Sequence, residues 1–275
     1  MTDSEPPLPS DSRIDTTVAH PARRYDYLLG GKDNFAADRE SGDALAAAFP
    51  HIRAAARSNR DFLGRAVTYL TVEAGIRQFL DIGTGLPSAN NTHQVAQALA
   101  PESRIAYVDN DPIVLAHARA LLNSTPDGET VYLDADVREA ENILANPELE
   151  RVLDLTRPVG LLLVAILHFL EDSDDPYRHV ARLVGAMPSG SYLTATHATN
   201  DHMPPATTDA VNQADNRTRV PFQFRTREGF ARFFDGLDLV PPGIVSVAEW
   251  HAEDEEEPRP SAADTAVYGA VARIP

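Results

Sequence analysis

The distribution of hydrophobic residues along the chain changes near residue 76. Before that point apolar residues recur at helical spacing and predict helices at Pro21–Leu29, Asp38–Phe49 and Ile52–Leu70. After it, short apolar runs alternate with amphipathic segments, which is typical of a doubly wound, mostly parallel sheet. We therefore predict a helical layer over residues 13–75 and an α/β core over residues 76–275.

The pattern in the core predicts a seven-stranded, mostly parallel sheet. Residues 198–225 break the alternation with several prolines and asparagines and one predicted helix, Thr207–Ala214, so we expect an insertion there. Residues 1–12 are rich in proline and lack apolar periodicity, which predicts a disordered tail. The predicted strands are Arg77–Ile82, Ile105–Val108, Thr130–Leu133, Val159–Val164, Ser191–Thr196, a sixth that prolines interrupt and that comprises Leu237–Val240 and Ile244–Val247, and Ala266–Ile274.

A glycine-bearing turn follows the first predicted strand. Asp81, Gly83 and Gly85 lie in this turn, and a polar stretch then leads into a predicted helix, Gln94–Ala100. Glycine allows a positive φ and a close approach of a ligand to the backbone, so strand, turn and helix together predict a site for a nucleotide-like ligand. A dinucleotide site has an apolar residue where this chain has Asp81. The carboxylate suits a ligand with a cationic end, such as the amino group of S-adenosylmethionine.

The motif Asp81-x-Gly83-x-Gly85 resembles the first motif of the class I S-adenosylmethionine-dependent methyltransferases. Two longer stretches, residues 22–35 and 81–91, resemble a bacterial family of S-adenosyl methyltransferases with no assigned substrate. The resemblance covers roughly residues 20–273. It implies a Rossmann-like fold with an N-terminal helical lid, and methyl transfer from S-adenosylmethionine to a small-molecule acceptor. It also makes residues 198–225 part of the substrate wall.

Carboxylates after the second and third predicted strands are candidate cofactor ligands. Asp109 is placed to accept the two ribose hydroxyls, and Asn110 would then flank the adenine. Asp136 is placed to accept the adenine amino group while Val137 packs on the purine, and Asp134 competes with Asp136 for this role. Helix capping is the structural alternative for these side chains.

The resemblance implies that the fourth strand ends beside the transferred methyl group, where Ala165 would line the cofactor. His168 follows, and its ordinary pKa near 6.5 suits a general base. A single histidine in an apolar run is more commonly a core residue. His197 and His202 are rival bases, and with Asp201 they could ligate a metal, but we predict no metal site.

The resemblance also places the segment before the core over the cofactor. Tyr25, Lys32 and Asn34 are the candidates for contact with the cofactor there, because a tyrosine or a cation can meet its carboxylate. Lys32 is the only lysine in a chain that otherwise uses arginine. We predict that residues 22–35 form a lid, with a hinge at Gly30–Gly31.

Composition limits the classes of function. The net charge of −17 disfavours a nucleic-acid substrate, and the absence of cysteine excludes disulfides and thiol nucleophiles. The longest apolar run, Val159–Leu170, is too short to span a bilayer and contains His168. With no signal peptide visible, we expect a cytoplasmic protein without membrane partners.

Two other functions stay open. A nicotinamide-dependent oxidoreductase would need the third glycine of its turn, where this chain has Ser88, and Asp81 would repel a pyrophosphate. Pro87 occupies the third glycine position of the methyltransferase motif, and its fixed φ makes the turn bend differently after Gly85. A non-catalytic regulator that binds S-adenosylmethionine is the second alternative, because the catalytic signal is weak.

Overall fold

A computed structural model describes residues 15–121, 124–215, 218, 220–255 and 257–275 of the chain. The predicted tail at residues 1–12 lies outside this range. In the described part, no helix is long and apolar enough to cross a membrane. The α-helices are α1 (Pro21–Leu29), α2 (Ala36–Ala48), α3 (Ile52–Val72), α4 (Thr92–Leu99), α5 (Pro112–Leu121), α6 (Ala140–Leu144), α7 (Pro147–Val152), α8 (Pro176–Val184), α9 (Pro205–Asp215), α10 (Arg227–Ala231) and α11 (Ala262–Thr265).

The strands form one mixed sheet. Its strand order is β3-β2-β1-β4-β5-β8-β6, and β7 also pairs with β8. The five strands from β3 to β5 are parallel, whereas β8 is antiparallel to β5, β6 and β7. The strands are β1 (Gln78–Ile82), β2 (Arg104–Asp109), β3 (Glu129–Asp134), β4 (Gly160–Leu163), β5 (Tyr192–Ala198), β6 (Asp238–Leu239), β7 (Val245–Ser246) and β8 (Val267–Arg273).

The predicted count of seven strands was wrong, because the described sheet has eight. The predicted sixth strand is divided into β6 and β7, which pair with successive parts of the same edge of β8. Pro241 and Pro242 lie between them and have no N–H to donate to the ladder, so the pairing stops there.

Apolar layers cover both faces of the sheet. Alternate residues of β1 point to opposite faces, so Leu80 packs in the layer that includes α6, α7 and α8, while Phe79 packs in the layer that includes α3 and α4. Phe62 and Trp250 meet edge to face in the second layer, with ring centroids 5.5 Å apart. Because Asp81 points to the same face as Phe79, its carboxylate is carried into a buried position beside α3 and α4.

The N-terminal helices begin and end where local chemistry predicts. Pro21 stands at the start of α1, and Gly30 ends that helix with a left-handed φ of 85°. Buried Asp38 fixes the entry to α2, because its carboxylate accepts the backbone N–H groups of His20 and Phe35, each at 2.9 Å. These bonds tie the starts of α1 and α2 together.

Helices α1, α2, α3 and α9 form a helical cap over the carboxyl ends of the strands. Leu28, Leu45, Phe49 and Val211 share one apolar cluster in this cap. The predicted helix of the insertion is therefore present as α9, and it packs on the N-terminal helices.

A buried ion pair and a smaller apolar cluster hold the cap in place. Arg24 of α1 donates to Asp215 of α9 at 2.5 Å, and both side chains are about 5% exposed. Ala22 and Phe35 pack against a cluster that contains Leu86 of the glycine turn. The N-terminal segment thus contacts both the insertion and the turn that follows β1.

Candidate functional site

A cavity of about 420 Å³ lies between the carboxyl ends of the strands and the helical cap. Most of the side chains that the sequence singled out line this cavity, although they come from separate parts of the chain. Lys32 and Asn34 are not among the lining residues. The predicted residues that line it are Tyr25, Asp81, Gly83, Gly85, Asp109, Asn110, Asp136, Val137, Ala165 and His168.

The turn after β1 depends on its two glycines. Gly83 has a φ of 74° and Gly85 a φ of 67°, which is the left-handed region that residues with a side chain rarely adopt. A Cβ at Gly83 would also lie 2.6 Å from Cγ1 of Ile166. The chain then enters α4, two residues earlier than predicted, through an N-cap at Asn91. The turn therefore brings its backbone to the cavity wall.

Asp81 presents a buried carboxylate at the end of β1. Only about 5% of this residue is exposed, and the Thr92 hydroxyl donates to its Oδ2 at 2.6 Å. Burial raises the pKa of Asp81 to about 6. A buried carboxylate with one short hydrogen bond retains acceptor positions for a cationic ligand group.

Asp109 joins the end of β2 to the glycine turn. Its Oδ2 accepts from the backbone N–H of Gly85 at 2.8 Å, and its Oδ1 accepts from the N–H of Asp111 at 2.9 Å. Burial raises the pKa of Asp109. Asp111 in turn accepts from the N–H of Ile113 at the start of α5, so the helix cap that competed with the ribose role belongs to Asp111. Asp109 keeps free lone pairs on both oxygens.

Asp136 and Asn110 are hydrogen-bonded to each other on the cavity wall. The Asn110 amide donates to Asp136 Oδ2 at 2.8 Å, and Asp136 Oδ1 accepts from the N–H of Arg138 at 2.8 Å. Asp136 therefore caps a short 3₁₀-helix, and helix capping was the structural alternative to a role in cofactor binding. Val137 packs in the core beside it. Its rival Asp134 does not line the cavity.

The chain leaves β4 through a left-handed residue. Ala165 has a φ of 59°, and its N–H donates to Thr196 Oγ1 at 2.8 Å. A non-glycine residue in this region is uncommon and is found at functional sites when the surroundings hold it. The next residues form a 3₁₀-helix, Leu167–Phe169, which carries His168 to the cavity.

His168 is held in an apolar setting. Its ring contacts those of Phe169 and Phe222, with centroid distances of 4.4 and 5.4 Å. Its Nδ1 atom is buried and has no hydrogen-bond partner among the described residues. Burial, followed by the nearby His197 and Arg24, holds the pKa of His168 well below its usual value, so the imidazole is neutral at pH 7.

The two rival histidines do not line the cavity. Both ring nitrogens of buried His197 are occupied: Nε2 accepts from Arg225 at 2.9 Å, and Nδ1 donates to the Ala198 carbonyl at 2.8 Å. Burial lowers the pKa of His197 to about 3. His202 instead lies 3.1 Å from the Tyr268 hydroxyl. Within the described ranges no group of three or more His, Asp or Glu side chains is arranged to hold a metal ion.

Tyr25 and Asn34 of the N-terminal segment, which were predicted to contact the cofactor, are hydrogen-bonded to other residues of the protein. The Tyr25 hydroxyl donates to the Ala56 carbonyl at 2.9 Å, so its ring lines the cavity while its proton is engaged. The Asn34 amide donates to Asp26 Oδ2 at 2.8 Å and holds the turn after α1. Lys32 is exposed to solvent.

Asn59 and Arg60 of α3, which no sequence pattern singled out, also line the cavity. Asn59 Oδ1 and Arg60 Nε are buried and have no partner among the described residues. The Asn59 amide donates to the Tyr25 hydroxyl at 3.0 Å, and Arg60 Nη2 donates to the Asn90 carbonyl at 3.0 Å. One signal could have found Asn59, because it shares a helix face with Phe62, where only apolar residues are expected.

Comparison with known proteins agrees with this geometry. Residues 8–275 match the model of a family described as S-adenosyl methyltransferase. A comparison with curated proteins gave no match.

Solved structures extend the agreement. A DUF574 family protein from Streptomyces avermitilis is 48% identical, with a TM-score of 0.89 over 96% of this chain and 100% of that one. A proposed methyltransferase from Thermobifida fusca is 39% identical, with a TM-score of 0.85 over 94% of this chain and 96% of that one. Mitomycin 7-O-methyltransferase, at 21% identity and a TM-score of 0.50 over 81% of this chain and 56% of that one, shows the fold alone. The chain belongs to the S-adenosyl methyltransferase family and is an S-adenosylmethionine-dependent methyltransferase with a Rossmann-like fold.

Proposed function

We propose that this enzyme transfers the methyl group of S-adenosylmethionine to a small molecule that binds beneath the helical cap. The observation that carries the proposal is the division of the cavity wall. Asp81, Asp109 and Asp136 line it from the strand ends, while the cap contributes mainly apolar side chains. Its volume of about 420 Å³ lies within the range of small-molecule sites, roughly 300–1,000 Å³.

The carboxylates suit successive parts of the cofactor. In this proposal Asp81 faces the ammonium group and Asp109 accepts from the ribose hydroxyls. Asp136 accepts from the adenine amino group, with Asn110 and Val137 beside the ring. The preformed bond from Gly85 to Asp109 supports this order, because it holds the ribose acceptor against the turn that carries the methionine end. When bound, the cofactor supplies an electrophilic methyl group.

Asn59 and Arg60 complete the proposed methionine site. A buried polar atom without a partner is costly, so a ligand that supplies the partner gains affinity. Arg60 lines the cavity together with Asp81, and its charge partly offsets the rise that burial gives the pKa of Asp81. We assign the cofactor carboxylate to Arg60 and a hydrogen bond from its ammonium to Asn59 Oδ1. Lys32 is not part of this assignment, because it does not line the cavity.

The acceptor is proposed to be small because the cap covers the site. Leu45, Phe49, Val211 and Phe222 line the cavity from the cap side, and they offer no charge to a phosphate backbone. The net charge of −17 also disfavours nucleic acid. We further propose that residues 22–35 act as the lid, as their packing against the glycine turn supports.

A transfer experiment tests this proposal. The purified enzyme is incubated with S-adenosylmethionine that carries a labelled methyl group, together with a bacterial cell extract, and the products are separated into small-molecule, protein and nucleic-acid fractions. We expect label in the small-molecule fraction, and little there with Asp109→Asn. Label only in protein or nucleic acid would overturn the proposed acceptor class. Tight cofactor binding with no transfer to any fraction would favour the non-catalytic regulator.

A further inference from the structure

The part of the cavity around His168 is lined by aromatic rings. Phe169 and Phe222 contact the imidazole and each other, and Phe222 meets Phe224 edge to face with ring centroids 4.8 Å apart. All of these side chains line the cavity. The backbone also fixes this wall, because the N–H of Gln223 donates to the His168 carbonyl at 2.8 Å. Rigid aromatic walls favour a planar aromatic ligand over a flexible aliphatic one.

One polar atom in this apolar wall has no partner. His168 Nδ1 is buried and unpaired among the described residues, although buried polar groups are nearly always hydrogen-bonded. A bound acceptor with an O–H group would supply the partner. In the proposed arrangement the ribose hydroxyls of the methyl donor face Asp109 and its ammonium group faces Asp81, so the missing bond is assigned to the acceptor.

The surroundings of His168 limit which acceptor hydroxyls its imidazole can deprotonate. Burial and the neighbouring cations make the imidazole a weak base. A weak base removes a proton efficiently only from a group that is itself fairly acidic, which favours a phenol or an enol over an aliphatic alcohol.

The cap offers little to a cationic amine. Asp215 is already paired with Arg24 at 2.5 Å. Asp26, the other carboxylate on the cap side, accepts from the N–H of Asp33 and from the Asn34 amide. An ammonium group on this side of the cavity would therefore have to share a carboxylate with the partners that it already has.

We propose that the acceptor is a planar aromatic compound with an acidic hydroxyl group, that this hydroxyl binds His168, and that the reaction is O-methylation. This inference rests on the proposed function. In the reaction the hydroxyl proton passes to the imidazole while the acceptor oxygen bonds to the methyl carbon. The bond from that carbon to sulfur breaks, and its electron pair stays on the sulfur. The imidazolium then gives its proton to water.

Three probes of similar shape test the inference by calorimetry on the enzyme saturated with S-adenosylhomocysteine. The probes are 4-nitrophenol, 4-nitrobenzyl alcohol and nitrobenzene, which differ in the presence and acidity of a hydroxyl. We expect 4-nitrophenol to bind at least about fivefold more tightly than nitrobenzene, because one additional hydrogen bond to a buried acceptor has an effect of this size. The affinity of 4-nitrobenzyl alcohol should lie between those of the other two probes. Equal affinity for all three would overturn the inference.

Variants locate the interaction. His168→Phe keeps a ring but should abolish the preference for 4-nitrophenol, and His168→Gln should keep part of it because an amide oxygen can accept the bond. His202→Gln, outside the cavity, should leave the preference unchanged. A preference that survives in His168→Phe would assign the hydroxyl to another residue and contradict the proposal. The S-adenosylhomocysteine titration that precedes each experiment separates the two claims, since its failure would contradict the proposed function itself.

Discussion

Oδ2 of Asp109 and the backbone nitrogen of Gly85 are 2.8 Å apart, so the end of β2 is hydrogen-bonded directly to the glycine turn after β1. A second bond, from the N–H of Asp111, fixes the other carboxylate oxygen. The carboxylate is therefore oriented before any ligand arrives. A preformed acceptor binds a ligand without first losing side-chain freedom, which increases affinity.

Replacement of Gly83 by alanine should damage the turn. The residue has a φ of 74°, and a Cβ there would meet Ile166 at 2.6 Å. We expect Gly83→Ala to lower the free energy of unfolding by about 1–3 kcal/mol and to weaken binding of S-adenosylhomocysteine. Urea denaturation and calorimetry measure the two effects.

Gly64 provides the control for this change. It lies within α3, where an added Cβ meets nothing within 4 Å. Gly64→Ala should raise the free energy of unfolding by about 0.5–1 kcal/mol, because alanine loses less entropy in a helix. If both variants had the same stability, the turn would not need a glycine.

Cofactor affinity should depend on pH through Asp81. Its pKa is raised to about 6, and only the ionised form attracts an ammonium group. We expect affinity for S-adenosylhomocysteine to fall as the pH drops through 6, and Asp81→Asn to remove that dependence. An identical pH profile in the variant would reject the placement of the ammonium group beside Asp81.

Fold stability should respond to Asp81 with the opposite sign. A carboxyl whose pKa rises from 3.8 to about 6 on folding contributes stability that is present below pH 3.8 and is lost as the pH rises through 6. Between pH 7.5 and pH 5 the wild type should therefore gain about 1 kcal/mol relative to Asp81→Asn. Urea denaturation of both proteins at the two pH values measures this difference, and a relative loss at pH 5 would contradict the raised pKa.

Arg60 should recognise the amino-acid end of the cofactor alone. We expect Arg60→Ala to weaken S-adenosylhomocysteine binding by tenfold or more, the effect of about 1.5–3 kcal/mol for a hydrogen bond to a charged group. Methylthioadenosine has the same nucleoside but no amino-acid group, so its affinity should not change. Lys32→Ala should affect neither ligand. An Arg60→Ala variant that loses both ligands equally would show a general defect in the site.

The ion pair between Arg24 and Asp215 should hold the cap together. Both side chains are buried, so Asp215→Asn leaves an unpaired buried charge and should cost about 3–5 kcal/mol in the free energy of unfolding. The double variant Arg24→Met with Asp215→Leu should recover most of that loss, because it removes both charges. A single variant as stable as the wild type would mean that the pair contributes nothing to the cap.

Much of the fold, and the wall of the cavity that the strand ends form, follow from local sequence patterns. The glycine at position 83 and the carboxylates at the strand ends can each be recognised from a few neighbouring residues. They meet at the cavity because parallel strands bring their carboxyl ends to one edge of the sheet. The sequence predicted the interruption at Pro241 and Pro242, but the two segments were counted as one strand where the described sheet has two. The same reasoning selected Asn110 and Asp136, which line the cavity and whose roles stay predictions.

Residues contributed by the cap could not be found in this way. Arg60 is one arginine among many in an amphipathic helix, and its position over the cavity depends on how α3 packs against the sheet. Lys32 was selected because the resemblance places its segment over the cofactor and because lysine is rare in this chain, but neither ground determines where its side chain lies. The occupied ring nitrogens of His197 likewise depend on Arg225, which is distant in sequence.

Binding of S-adenosylhomocysteine to matched variants tests the central claim most directly. Asp109 lines the cavity at the end of β2, whereas Asp134 stands at the end of the adjacent β3 and does not line it. Calorimetry should show that the wild type and Asp134→Asn bind S-adenosylhomocysteine equally, that Asp109→Asn binds it about tenfold or more weakly while remaining folded by circular dichroism, and that none binds NAD tightly. Equal affinity in Asp109→Asn, or tight binding of NAD with no response to S-adenosylhomocysteine, would contradict the account.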